Sequence, residues 1–216
     1  MTRGTLITIE GLDGAGKSTL AAALATALHT RSMRVELLRE PGGVQLSERI
    51  RELVKDPSLQ VGARAEALLY AAARAELVHE RVIPLLEQGA YVLLDRFVDS
   101  SLAYQGAGRE LGMDEIHTIN LFATRGLVPD RTLLLRISPR TGRTRQGTRD
   151  AEPDRLEREG DPFFQRISDA YEQLAAAEPT RIRVLDAELS SEQVLAQALA
   201  AIDDLLPRPA GESAAH

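Results

Sequence analysis

One segment of the sequence constrains the fold more than any other. A run of β-branched and leucine residues at 6–10 passes straight into Gly11-Leu12-Asp13-Gly14-Ala15-Gly16-Lys17-Ser18, and then into an alanine-rich stretch that ends near Leu28. This is the G-x-x-x-x-G-K-[ST] pattern in the strand-loop-helix setting that it requires. Glycines let the backbone wrap round a phosphate, the first turn of the helix aims N–H groups at the anion, and Lys17 adds a point charge toward the outer phosphates. The expectation is a nucleoside triphosphate cradle made of Gly11, Leu12, Asp13, Gly14, Ala15, Gly16, Lys17, Ser18 and Thr19, with the Ser18 hydroxyl offered to Mg²⁺. A glycine-rich turn with no ligand is the alternative, and the flanking strand and helix argue against it.

The rest of the chain repeats the alternation that this segment begins. Four further short apolar runs occupy 35–38, 91–95, 132–137 and 182–186, separated by helix-like stretches. Near-continuous apolarity, rather than strict alternation, marks strands covered on both faces, as in a parallel sheet built from βαβ units. The expected fold is α/β: a five-stranded parallel sheet flanked by helices, a three-layer sandwich of the P-loop nucleoside triphosphate hydrolase type with a mobile lid. The longest helical pattern, 63–88, spreads Ala67, Leu68, Ala71, Leu77 and Val78 over more than one face, and Pro84 should kink or restart it. Residues 140–160 are rich in Arg, Asp, Glu and Gly, with Leu156 almost alone as an apolar residue, and read as a mobile surface segment. Residues 1–206 are expected to form a single domain, with 207–216 a disordered tail.

Composition narrows the class. Apolar residues make up 44% and charged residues 27%, the balance of an ordinary globular chain, and no apolar run approaches the ~20 residues of a membrane helix. The N-terminus has no basic segment followed by an apolar stretch and a cleavage site, so a cytoplasmic location is expected. With zero cysteines, disulfides, thiolate metal sites and cysteine nucleophiles are out, and any metal must use oxygen or imidazole ligands. A net charge of −6 argues against general nucleic-acid binding, and His29, His79, His117 and His216 show no metal-ligand spacing.

Asp95 closes the third apolar run, where proteins with such a loop place a carboxylate that serves Mg²⁺ directly or through water. It is followed by Arg96 rather than by a second acid, so no water-activating base is evident. An alcohol acceptor would need such a base, whereas a phosphate monoester, with a second pKa of about 6, is already largely dianionic at neutral pH and needs cations instead. Arg39 and Arg96 follow strands whose C-terminal ends face the crevice of an open α/β sheet, and Arg74 lies within the long helix. On residue type alone, Arg74 reads equally as a solvated helix charge.

The motif Arg39-Glu40-Pro41-Gly42-Gly43 and the run Asp95-Arg96-Phe97-Val98-Asp99-Ser100-Ser101-Leu102-Ala103-Tyr104-Gln105, together with the phosphate loop, closely resemble bacterial thymidylate kinase over nearly the whole length. The resemblance implies transfer of the γ-phosphate of ATP to thymidine monophosphate (dTMP), giving dTDP and ADP in dTTP biosynthesis. It implies that Asp13 approaches the acceptor and its sugar hydroxyl, that Arg74 and Arg96 clamp the acceptor phosphate, and that Arg39 lies near the transferring group. Tyr70, one turn before Arg74, falls where the family has Phe stacked on thymine, and Ser101 where it has Asn or Thr bonded to the base. Glu40, Pro41, Tyr104 and Gln105 complete the implied dTMP pocket, Tyr104 crowding the 2′ side of the sugar. Ser18 and Asp95 are the implied Mg²⁺ ligands. The family also implies a homodimer, with the helix at 63–88 as its interface. This loop has Gly14 and Ala15 where one subclass carries Arg, so the resemblance hands the lid cation to Arg143, Arg145 and Arg149, the first two on ATP and Arg149 as the catalytic one.

Three other readings share the loop. A regulatory GTPase lacks support because there is no Asn-Lys-x-Asp stretch to read guanine. Another P-loop small-molecule kinase, acting on a different nucleotide, a nucleoside or shikimate, would keep the fold and change the acceptor pocket. A partitioning ATPase would consume ATP without a phosphorylated nucleotide product.

Overall fold

The structure is a computed structural model that describes residues 3–147 and 154–207. Its strands are β1 (Thr5–Gly11), β2 (Val35–Arg39), β3 (Tyr91–Asp95), β4 (Arg131–Arg136) and β5 (Ile182–Asp186). They form one sheet in the order β2-β3-β1-β4-β5 with every pairing parallel, Thr5 opposite Tyr91 and Ile7 opposite Arg131. Successive side chains of a strand point to opposite faces. On β1, Ile7 and Ile9 join one buried cluster with Leu20, Leu24 and Leu28, whereas Leu6 joins a second with Leu77, Val82 and Leu86. Both faces are therefore covered, which is why the strands read as continuous apolar runs.

The helices are α1 (Lys17–His29), α2 (Gln45–Lys55), α3 (Ala63–Leu77), α4 (Ile83–Glu87), α5 (Val98–Ser101), α6 (Met113–Thr124), α7 (Pro139–Gln146), α8 (Asp161–Ala177) and α9 (Ser191–Ala201). α1, against β1, β2 and β3, packs beside α9, against β5, on one face, and the elements from α3 to α6, with α8, cover the other. The break expected at Pro84 takes the form of a π-helical turn, Val78–Val82, leading into α4 with Pro84 in its first turn. Wider i→i+5 bonding at that point suits a residue that has no N–H to give. A second π turn, Leu102–Gly108, extends α5 and carries Tyr104 and Gln105. Such turns recur at functional sites because they re-aim side chains.

The segment 140–160 is not irregular throughout. Its first part belongs to α7, capped by the Ser138 hydroxyl accepting from the Thr141 N–H, and Leu156 is buried. Residues 148–153 of that segment, and 208–216 of the tail, lie outside the described residues. The sheet order reverses beside β1, between β3 and β4, and that switch opens a crevice at the C-terminal ends of β1 and β3. Gly11, Arg39 and Asp95 end their strands at its rim.

Candidate active site

The crevice is a cavity of about 240 Å³. The loop before α1 lines one side with Asp13, Gly14, Gly16, Lys17, Ser18 and Thr19; β2 and β3 supply Arg39, Glu40, Pro41, Asp95 and Arg96; the helical face opposite supplies Tyr70, Arg74, Ser100, Ser101, Tyr104 and Gln105. Sequence positions as far apart as Asp13 and Glu157 thus meet in one place.

The loop conformation demands its glycines. Gly14 has φ 82°, and a Cβ there would lie 2.3 Å from the carbonyl oxygen of Gly142 in α7. No side chain, arginine included, fits at position 14 while α7 holds this place, so a cation for the transferring phosphate must come from elsewhere. Lys17 is buried and donates to the carbonyls of Gly11 (3.1 Å) and Leu12 (2.8 Å), with the Asp13 carboxylate 3.7 Å away. Burial and then Arg96 push its ammonium down to about 8, against the pull of Asp13. The Ser18 hydroxyl donates to Asp95 Oδ2 at 2.8 Å, which sets two hard oxygen donors side by side at the mouth of the loop.

Arg96 is the centre of the site. It is a non-glycine residue at φ 70°, a left-handed conformation that costs roughly 1–2 kcal/mol and persists only where surroundings hold it. Its guanidinium donates to the Gly11 carbonyl (3.2 Å), Ser100 Oγ (2.9 Å), Asp13 Oδ1 (2.5 Å) and the Tyr104 hydroxyl (3.2 Å), and stacks 4.9 Å from the Tyr104 ring. Tyr104 in turn donates to Asp13 Oδ2 at 3.0 Å. Burial alone would raise the Asp13 carboxyl, but Arg96 and Lys17 outweigh it and hold it well below the usual carboxylate range. Asp13 is therefore an acceptor and not a proton donor at neutral pH. Burial raises both Tyr104 and Tyr70 above the ordinary phenol range, so each keeps its proton.

Arg74 departs from the expectation of a phosphate clamp. It is 2% exposed, and four of its five N–H groups donate: Nε to Glu40 Oε2 (2.7 Å), Nη1 to Ser101 Oγ (2.9 Å) and to Asn120 Oδ1, and Nη2 to the Phe97 carbonyl (2.9 Å), with Glu40 Oε2 also 2.6 Å from Nη2 in the ion pair. It borders the cavity with most of its donors already committed to the protein. Arg39 also borders the cavity, half exposed, with its guanidinium on Glu48 at 2.8 Å. The lid arginines lie apart from it: Arg143 pairs with Asp161 and stacks on Phe164, and Arg145 donates to the Ala187 carbonyl at 2.9 Å. Arg149 lies outside the described residues.

Several site residues escaped the sequence reading. Lys55 lines the cavity beside Asp154, its ion pair partner at 2.7 Å, with Arg51 and Glu157 nearby. The signal was present, because Lys17 and Lys55 are the only two lysines in the chain and both border this cavity. Asn120 gave a fainter one as a polar residue within the apolar run Ile119-Asn120-Leu121-Phe122. Glu10 is wholly buried beneath the loop, and burial followed by Asp99 pushes its carboxyl up to about 7, while Arg96, Ser100 and the Phe97 N–H draw it back.

A phosphate loop facing a second cationic centre across one cavity describes many kinases, and comparison with known proteins separates them. The thymidylate kinase profile matches residues 9–198. The chain belongs to the thymidylate kinase family. The thymidylate kinase of Enterococcus faecalis is 45% identical over 95% of this chain and 98% of its own length, and that of Deinococcus radiodurans is 44% identical over 94% and 98%. The crystal structure of thymidylate kinase from Ehrlichia chaffeensis superposes with a TM-score of 0.77 at 27% identity, covering 93% of this chain and 99% of that one.

Proposed function

We propose that the enzyme transfers the γ-phosphate of ATP to dTMP, giving dTDP and ADP. The observation that carries this reading is Arg96, whose guanidinium ties the loop carboxylate Asp13 to Tyr104 on the acceptor side of the same cavity. ATP lies along Gly11 to Thr19, with Lys17 swinging from the loop carbonyls onto its β- and γ-phosphates. The dTMP phosphate meets Arg96, its sugar hydroxyl meets Asp13, and its base stacks on Tyr70 with Ser101 and Gln105 at its polar edge. Glu40 and Pro41 close the pocket from the β2 side. Arg74 serves here as the buried frame that holds Glu40 and Ser101, in place of the phosphate clamp role.

No general base is required, because the dianionic acceptor phosphate attacks directly once its charge is balanced. Asp13 stays ionised, so it orients the acceptor and Arg96 and does not take a proton from it. Ser18 and Asp95 fit Mg²⁺, which accepts one or two protein oxygens together with substrate phosphates. When bound there, the ion would neutralise charge on the donor phosphates. Arg39, together with Arg143, Arg145 and Arg149, would supply the cations that meet the transferring group and exclude water from it. Residues 1–206 work as one kinase domain in the cytoplasm.

The deciding experiment follows ADP and nucleoside diphosphate together, with Mg²⁺ and the monophosphates of thymidine, deoxyuridine, uridine, cytidine, adenosine and guanosine. dTMP should exceed the cytidine and purine acceptors by at least about 10³-fold in kcat/KM. ADP formed without any diphosphate would reject transfer.

The working unit in this reading is a homodimer. α3 packs between α2 and α6, and this side exposes Leu46 and Leu53 of α2, Leu68 of α3, and Leu121 and Phe122 of α6, Phe122 at 90%. Exposed apolar side chains on three neighbouring helices suit a second copy of the chain. Phe122→Glu should convert particles of twice the 23.6 kDa chain mass into monomers in light scattering. A wild-type monomer, or a dimer indifferent to the substitution, would remove this interface.

A further inference from the structure

We infer that Glu10 is a positioning residue for Arg96, acting through the turn 96–100, and sets how the acceptor phosphate is held. Glu10 is the penultimate residue of the buried strand β1, next to the first glycine of the phosphate loop, and does not border the cavity. Its carboxylate takes four donors: the Phe97 N–H (2.7 Å) and Ser100 N–H (3.2 Å) on Oε1, and the Ser100 hydroxyl (2.5 Å) and Tyr171 hydroxyl (2.9 Å) on Oε2. Two of these are N–H groups at the start of α5, the Ser100 one shared with the Phe97 carbonyl at 3.1 Å, so an acid on the central strand caps a helix that begins two residues after Arg96.

The direction of each bond explains the effect on Arg96. Because Ser100 gives its one hydroxyl hydrogen to Glu10, its oxygen is free to accept from Arg96 Nη1. The Arg96 backbone is held on both sides, its own N–H bonded to the Ile9 carbonyl at 3.0 Å and the next N–H bonded to Glu10. The left-handed turn at Arg96 is thereby pinned from β1, and the guanidinium is aimed between Asp13 and Tyr104. The loop that holds ATP and the turn that holds the acceptor cation hang from adjacent residues of one strand, Glu10 and Gly11. Their relative placement is then fixed by the sheet rather than by either loop, and transfer depends on that placement to within about an ångström.

This inference rests on Arg96 being the acceptor clamp, so the test is a double-mutant cycle of Glu10→Gln and Arg96→Lys, read as kcat and KM for dTMP and for ATP. Glutamine keeps the shape but carries an NH₂ where Oε2 must accept two hydroxyls. Glu10→Gln should lower kcat/KM for dTMP by about tenfold to a hundredfold, with KM for ATP changed by less than about threefold. In the Arg96→Lys background it should cost less than about twofold more, the non-additivity of a residue that acts through its neighbour. Equal losses in both backgrounds would show a merely structural carboxylate and overturn the proposal. An impaired Arg96→Lys beside a silent Glu10→Gln would overturn it while leaving the clamp intact, whereas a silent Arg96→Lys would remove the clamp reading and the proposal with it. If Glu10→Gln does not fold, Ser100→Ala breaks the same link at its middle and leaves both backbone caps in place. The identical cycle with Arg96→Lys then decides, coupling supporting the proposal and additivity overturning it.

Discussion

Lys17→Ala is expected to lower the rate of dTDP formation by about 10³-fold or more, a loss of roughly 4 kcal/mol of transition-state stabilisation. Phosphoryl transfer asks the protein for little covalent work and a great deal of charge placement, so the cation nearest the migrating group carries a large share of the rate. Lys17 is the cation that the loop itself supplies. Within the loop and its immediate neighbours nothing replaces it, because Arg96 is committed to Asp13, Ser100 and Tyr104, and Gly14 leaves no space for an arginine beneath Gly142. The fold should survive, since the carbonyls of Gly11 and Leu12 that lose a donor lie beside a cavity open to water. Single-turnover dTDP formation measures the rate, and a thermal melt of the same sample checks the fold. A variant that melts with the wild type and turns over within tenfold of it would mean that Lys17 is not the donor-side cation.

What the sequence disclosed, and what it withheld, divides along the range of the interactions. The five strands were legible because a sheet covered on both faces writes itself as short continuous apolar runs, and each observed strand lies within a residue or so of its run. The phosphate loop was legible because its requirements are all local: positive φ at Gly14 and Gly16, a helix starting at Lys17, and a strand ending at Gly11. Contacts across the fold were not. Glu10 looks like a strand residue that happens to be acidic until α5 and α8 bring Ser100 and Tyr171 against it. The π turns at 78–82 and 102–108 shift helical register, and no spacing argument anticipates them. At 140–160 the charged composition pointed to an exposed segment, yet Gly142 lets α7 rest on the phosphate loop, a close approach that only the backbone coordinates reveal.

Arg74 shows the same division in a form that an experiment can resolve. Read along the helix, it is a cation one turn after Tyr70 and a candidate to weaken acceptor use when removed. In the fold it is a buried guanidinium with four of its five hydrogens committed, paired with a Glu40 carboxylate that burial already pushes upward. Arg74→Ala should therefore act on stability first. Removing one partner of a buried pair leaves the other charge uncompensated, at a cost of about 3–5 kcal/mol, which for a chain of this length is a fall in melting temperature on the order of 10 °C. The sign of the pH dependence follows from Glu40. Its folded-state pKa is raised and rises further without Arg74, so its contribution to stability is present below the unfolded carboxyl range and is lost as pH climbs through the folded value. The deficit of Arg74→Ala against wild type should accordingly be smallest near pH 5 and grow toward pH 8, and Glu40→Gln should recover part of it in the double variant. Thermal melts of the four proteins across that range test the account. If Arg74→Ala instead melts with the wild type at every pH and raises only KM for dTMP, then Arg74 leaves Glu40 on binding and grips the acceptor itself.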